Sequence, residues 1–212
     1  MPAGWLGAYS GRVSVELSAP ADLPPAFRTA LAGLTAVDLR PELVVHELPA
    51  PSRLAPYAIA LHAAVVSGDD ELAEGRLVVL HDPDGQEVWG GDTRCVAYVQ
   101  AAVEPDIAGD PMLTGVGWSW LIEALAAAGA EYAAEGGTVT RTTSERFGAL
   151  VEHPVTCDVE IRASWSPLGD LGAHLVAFGD VLCLAAGLPP IPPGVVPMPK
   201  RRKAKARAGR PR

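Results

Sequence analysis

Residues Val155 to Trp165 alternate without a break: Val155, Cys157, Val159, Ile161, Ala163 and Trp165 occupy one set of positions, Thr156, Asp158, Glu160, Arg162 and Ser164 the other. Successive side chains of a strand point to opposite faces, so this segment fits a half-buried strand with one face on a core and one on water or a site. That polar face is solvated or lines a site, and the rest of the chain must supply strands to pair with this one and helices to cover the sheet.

Candidate neighbours occur at Glu42–Leu48, Tyr57–Val66, Arg76–Asp82, Arg94–Glu104 and Gly137–Thr143, each rich in Val, Ile, Leu, Thr or aromatic residues and bounded by Pro or Gly. The first four follow one another and predict an antiparallel meander. Both alternating sets of Tyr57–Val66 are mostly apolar, which predicts a central strand covered on both faces. Asp82-Pro83-Asp84-Gly85 predicts a hairpin turn, through the preset φ of proline and the tolerance of glycine for φ > 0.

Three main helices are predicted. Asp22 can cap a first, opened by Pro24 and Pro25, with Phe27, Leu31 and Leu34 on one face. A second runs from the Asp110-Pro111 cap to about Ala128 and stops at Gly129. A third spans about Leu171 to Ala186 and ends at Gly187. Ser144 can cap a further short helix ending before Pro154. The fold class is α+β: a mainly antiparallel sheet of about six strands with three main helices packed on it. Residues 1–22 read as a loosely held leader, 23–190 as one domain, and 191–212 as a Pro-rich linker with a basic disordered tail.

Charge separates body from tail. Eight of the 17 basic residues, including Lys200, Arg201, Arg202 and Lys203, crowd positions 200–212, which leaves nine against 25 acids and a body near -16. Such a body is repelled by nucleic acid and anionic membrane, whereas the tail is suited to weak, salt-sensitive nucleic-acid contact without sequence choice. No secretory signal is expected, since Gly7, Gly11, Arg12 and Glu16 interrupt the apolar N-terminus. Cys95, Cys157 and Cys183 are odd in number and widely spaced, which fits a reducing cytoplasm rather than a disulfide framework. The helical part of the apolar stretch from Leu171 would span only ~24 Å of a ~30 Å bilayer core, so no membrane association is expected.

No lysine precedes Lys200. The body thus lacks the phosphate-gripping lysine of a P-loop or a kinase and any Schiff-base lysine. Gly117-Trp118-Ser119-Trp120-Leu121 lacks the closing glycine of a nucleophile elbow. The five histidines show no metal-ligand spacing, Asp82-x-Asp84-Gly85 has its glycine too early for a calcium loop, and no cofactor is expected. Asp69, Asp70, Glu71 and Glu74 read as a solvated turn.

The best polar cluster lies on the two late strands. If they are neighbours, Thr140, Arg141, Glu160, Arg162 and Ser164 come together, and arginines among hydroxyls suit a carboxylate or phosphate. The competing reading is ion pairing on a solvated sheet face.

The motifs R-L-A-P-Y-A at 53–58, G-R-L-V-V-L-H-D-P at 75–83, W-S-W-L at 118–121, G-T-V-T-R at 137–141, E-I-R-A-S-W at 160–165 and A-G-L-P-P at 186–190 together resemble the bacterial domain-of-unknown-function 3000 family, over roughly Pro24 to Pro190. The resemblance implies no catalytic residue, activity or cofactor. The leading expectation is a non-catalytic binding or regulatory module that holds a protein partner or a second copy of itself. The alternatives are an enzyme or small-anion sensor built on Arg141, Glu160 and Arg162, and nucleic-acid association through the tail.

Overall fold

A computed structural model of the chain describes residues 15–17 and 23–191; the Asp22 cap and the basic tail lie outside the described residues. The element order is α1 (Pro25–Thr35), β1 (Leu43–Leu48), β2 (Tyr57–Ser67), β3 (Asp70–Gln86), β4 (Gly91–Val103), α2 (Pro105–Gly109), α3 (Leu113–Ala127), β5 (Glu131–Ser144), β6 (Thr156–Leu168) and α4 (Leu171–Ala185). The strands form one six-stranded sheet in the order β1-β2-β3-β4-β6-β5, every pair antiparallel. The meander is present as far as β4. There the chain departs through α2 and α3, and β6 returns to pair with β4, leaving β5 at the edge.

The helices share one face. α4 crosses β2, β3, β4 and β6, α3 covers β5 and β6, and α1 flanks α4. Under them, Leu61, Leu77, Val79, Cys95, Val159 and Trp165 have no exposed surface, and Phe178 and Leu182 of α4 are similarly buried. Each such aliphatic or aromatic side chain contributes about 1.5–3 kcal/mol through burial. α4 rests almost directly on the sheet at Gly75, where a Cβ would lie 2.5 Å from the Tyr98 carbonyl and 3.1 Å from Cζ of Phe178.

Helix ends follow the expected chemistry. Asp170 caps α4 by accepting from the Gly172 amide at 3.1 Å, while Gly129 and Gly187 end α3 and α4 with φ of 66° and 74°. Asp110 accepts from the Met112 amide at 2.8 Å, yet α3 begins only at Leu113, because the residues before Asp110 form the separate single turn α2.

Three expectations are corrected. Asp82–Gly85 does not reverse the chain: the Asp82 carboxylate accepts from the Asp84 amide and the Gln86 side chain, folding the segment into an irregularity within β3, and the reversal comes at Glu87–Gly90. β2 lies second in the sheet rather than at its centre, with α4 over one face, although its other face is covered too, since Ala60 and Ala64 are buried and no residue of the strand is exposed. Ser144 starts no α-helix, and a single 3-10 turn, Gly148–Leu150, forms instead.

Candidate functional site

The face of the sheet opposite the helices is a grid set by strand register. One row runs His46, His62, Arg76, Tyr98, Arg162 and Thr138 across all six strands; the next runs Val44, Ala64, Glu74, Gln100, Glu160 and Thr140. Side chains directly opposite on adjacent strands are close enough to interact, so the polar face left by the alternation becomes a connected surface.

Tyr98 is at its centre. Its hydroxyl donates to Oε1 of Gln100 at 2.8 Å, and the Arg162 guanidinium lies 5.4 Å from its ring centroid. Arg162 is also held by Glu160, through Nη2 at 2.9 Å and Nε at 3.1 Å. Burial, reinforced by the Glu160 carboxylate, pushes the Tyr98 phenol above its ordinary pKa despite the opposing pull of Arg162. His62 meets Glu74 at 3.3 Å, and its ring lies 4.8 Å from that of His46, whose pKa is lowered by burial and then by His62. The Arg76 side chain is exposed and makes no hydrogen bond or ion pair with any described residue, while its backbone pairs within the sheet. Two shallow depressions of about 410 Å³ each flank Tyr98, one against His62, Glu74, Arg76 and Gln100, the other against Val96, Gly136, Thr138, Arg162 and Ser164.

The five sequence-predicted residues divide. Thr140, Glu160, Arg162 and Ser164 share the open face, and the Arg162–Glu160 ion pair is the one the competing reading anticipates. Arg141 is on the helix side, where its guanidinium donates to the carbonyls of Ala108 at 3.1 Å and Asp110 at 2.7 Å. Residues 140 and 141 of one strand cannot face the same way. Ser164 is engaged as well, because its Oγ and carbonyl accept from Nη2 of Arg94 at 2.8 and 3.3 Å. Lys200, Arg201, Arg202 and Lys203 lie outside the described residues.

Arg76, Tyr98 and Arg94 were not singled out by sequence, although Arg76 and Tyr98 each occupy a polar position between buried ones: Arg76 between Gly75 and Leu77, Tyr98 between Ala97 and Val99. Their conjunction depends on a register that alternation within single strands does not specify.

Elsewhere the reactive side chains are built into the core. His81 stacks on Phe27 at 4.7 Å and meets Thr93 at 3.1 Å. His174 is fully buried and accepts from the Trp165 indole at 3.0 Å. Burial pushes the thiols of Cys95 and Cys183 up to about 12, which leaves both protonated at neutral pH and unsuited to attack as thiolates. Among the described residues no group of three or more His, Cys, Asp or Glu side chains is placed to hold a metal ion, and no helix is long and apolar enough to cross a membrane.

Comparison with curated proteins and with solved structures gives no match. A family model described as a protein of unknown function (DUF3000) matches residues 23–196, within which the six strands and four helices of the described residues fall, and the chain belongs to that family.

Proposed function

We propose that the protein is a non-catalytic binding module and that the open sheet face centred on Tyr98 receives a protein partner with an acidic contact segment. The observation that carries this reading is the row Arg76–Tyr98–Arg162 on β3, β4 and β6: a partly buried phenol bracketed by two guanidiniums, one of them without an internal partner. Tyrosine and arginine are the side chains enriched at binding hot spots, and an arginine not matched within its own sheet is available to a carboxylate from outside. The depressions on either side of Tyr98 are floored by the sheet and open to solvent. A small metabolite is ordinarily enclosed over most of its surface, which such troughs do not provide, whereas a polypeptide can lie along both.

A photo-crosslinking residue at Tyr98, with a control at exposed Glu123 of α3, tests the proposal. One defined protein should be captured from position 98, not from 123, and capture should be lost in Arg76→Glu. Capture equal from both positions, or insensitive to Arg76→Glu, would overturn it.

The unpartnered Arg76 favours one alternative, a small-anion sensor in which Arg76 replaces Arg141 beside Arg162. Its signature is thermal stabilisation by carboxylated or phosphorylated metabolites, abolished in Arg76→Ala.

A further inference from the structure

β5 ends the sheet, and among the described residues no segment pairs with its outer edge. At 14 residues it is more than twice as long as β1 at the opposite edge, which has six. All of β5 is exposed except half-buried Tyr132 and Val139. Edge strands in soluble proteins are ordinarily guarded by brevity, proline, lysine or a bulge. The only such device here is the slip between Ala133 and Gly136, and it leaves Gly136–Ser144 regularly paired to β6 on one side and open on the other. This stretch, G-G-T-V-T-R-T-T-S, contains no proline, lysine or acid. Its single charge, Arg141, is drawn toward the carbonyls of Ala108 and Asp110.

We infer that this edge is a homodimer interface, in which Gly136–Ser144 of two copies pair antiparallel about a two-fold axis at Thr140. The occupant is a second copy because the strand is complementary to itself. In this register Thr140 faces its own counterpart, Thr138 faces Thr142, Val139 faces Arg141, Gly137 faces Thr143 and Gly136 faces Ser144. No like charges are opposed, and Thr–Thr pairs are favourable cross-strand neighbours. In a body near -16 an acid-free surface is where two copies approach without strong repulsion. The next pair outward would oppose Glu135 to Glu145, which confines pairing to these nine residues.

A second feature points to the same end of the molecule. Of the ten large apolar side chains left exposed among the described residues, seven lie in segments beside β5: Ile107, Met112 and Val116 in the α2–α3 region, and Phe147, Leu150, Val151 and Val155 in the β5–β6 connection. α2 and α3 both contact β5. A two-fold axis perpendicular to the sheet keeps the helix layers of both copies on one side of the seam, where such side chains add apolar burial to the strand pairing. The product is a continuous twelve-stranded sheet whose open faces adjoin.

Sedimentation velocity of the full chain over a concentration series, with Thr140→Lys and Thr140→Cys variants, decides the matter. The parent should form a dimer. Thr140→Lys, which sets two ammonium groups opposite each other at an exposed position, should be monomeric and still unfold cooperatively, at a temperature that, unlike the parent's, does not rise with protein concentration. Thr140→Cys should give a disulfide-linked dimer under mild oxidation. A parent that stays monomeric, a dimer that survives Thr140→Lys, or a dimer that the Thr140→Cys variant fails to cross-link would each overturn the inference. None of these outcomes depends on whether Tyr98 contacts a partner.

Discussion

Replacing Arg94 tests whether one guanidinium fastens the end of the sheet. Nη1 donates to the Ala134 carbonyl at 2.8 Å and to Ser166 Oγ at 3.1 Å, while Nη2 donates to the Ser164 Oγ at 2.8 Å and its carbonyl at 3.3 Å. These bonds run from β4 across β6 to the irregular start of β5, where Ala134 holds a φ of 53° that a non-glycine side chain seldom adopts. A hydrogen bond to a charged donor contributes about 1.5–3 kcal/mol when a partner is deleted. The four do not add, since they share one cation and the Ala134 end is wet, so Arg94→Ala should cost about 2–3 kcal/mol in all. For a domain of this size each kcal/mol lowers the unfolding temperature by about 2–4 °C, which predicts a fall of about 4–12 °C in a thermal melt. Hydrogen exchange should accelerate first at the amides of residues 133–137. Arg94→Lys keeps the charge and loses the fork, and should fall between. Arg76→Ala, on the neighbouring strand and without internal partners, should change stability by no more than about 0.5 kcal/mol. A melt of Arg94→Ala that matches Arg76→Ala would refute the assignment.

His174 is held neutral by burial, against the opposing influence of the Leu168 carbonyl and the Asp170 carboxylate, so its folded pKa lies below the ordinary 6.5. The unfolded chain then takes up the proton first, and stability present above pH 6.5 is lost as pH falls from there through the folded value; chemical denaturation at several pH values should show a shallower loss in His174→Gln than in the parent. Gly75→Ala places a methyl within 2.5 Å of the Tyr98 carbonyl and against α4, and should destabilise by about 1–3 kcal/mol in urea melts. Truncation after Pro199 removes the eight cationic side chains of the tail and should abolish any salt-sensitive binding to a fluorescent oligonucleotide; binding that persists after truncation would exclude the tail.

The parts of this architecture legible in sequence are those written in local chemistry. The strand Val155–Trp165 announced itself by alternation, and the ends of α3 and α4 by Gly129 and Gly187, whose positive φ no other residue adopts as cheaply. The fold class follows from counting such segments. The site was legible only in part, because assembling it requires knowing that Arg76, Tyr98 and Arg162, far apart in the chain, share a row. Arg141 shows the opposite failure: adjacency in sequence to Thr140 suggested a shared pocket, and the pleat sends the two to opposite faces. The Asp82–Gly85 turn was misplaced because Asp82 hydrogen-bonds within its own segment, which competes with hairpin formation and cannot be weighed without knowing where the partner strand begins.

The insertion of β6 between β4 and β5 has a consequence for how the chain is made. β4 ends at Val103, and its permanent neighbour begins only at Thr156. As the polypeptide emerges from the ribosome, the β1–β4 meander can assemble with its growing edge unsealed, and β5 is synthesised before β6, its partner within the described sheet, exists. Completion must therefore wait for β6, which pairs with both β4 and β5, and for α4, which contacts β2, β3, β4 and β6 and so bridges the early and late strands. The last helix translated among the described residues thus decides when the hydrophobic interior shuts.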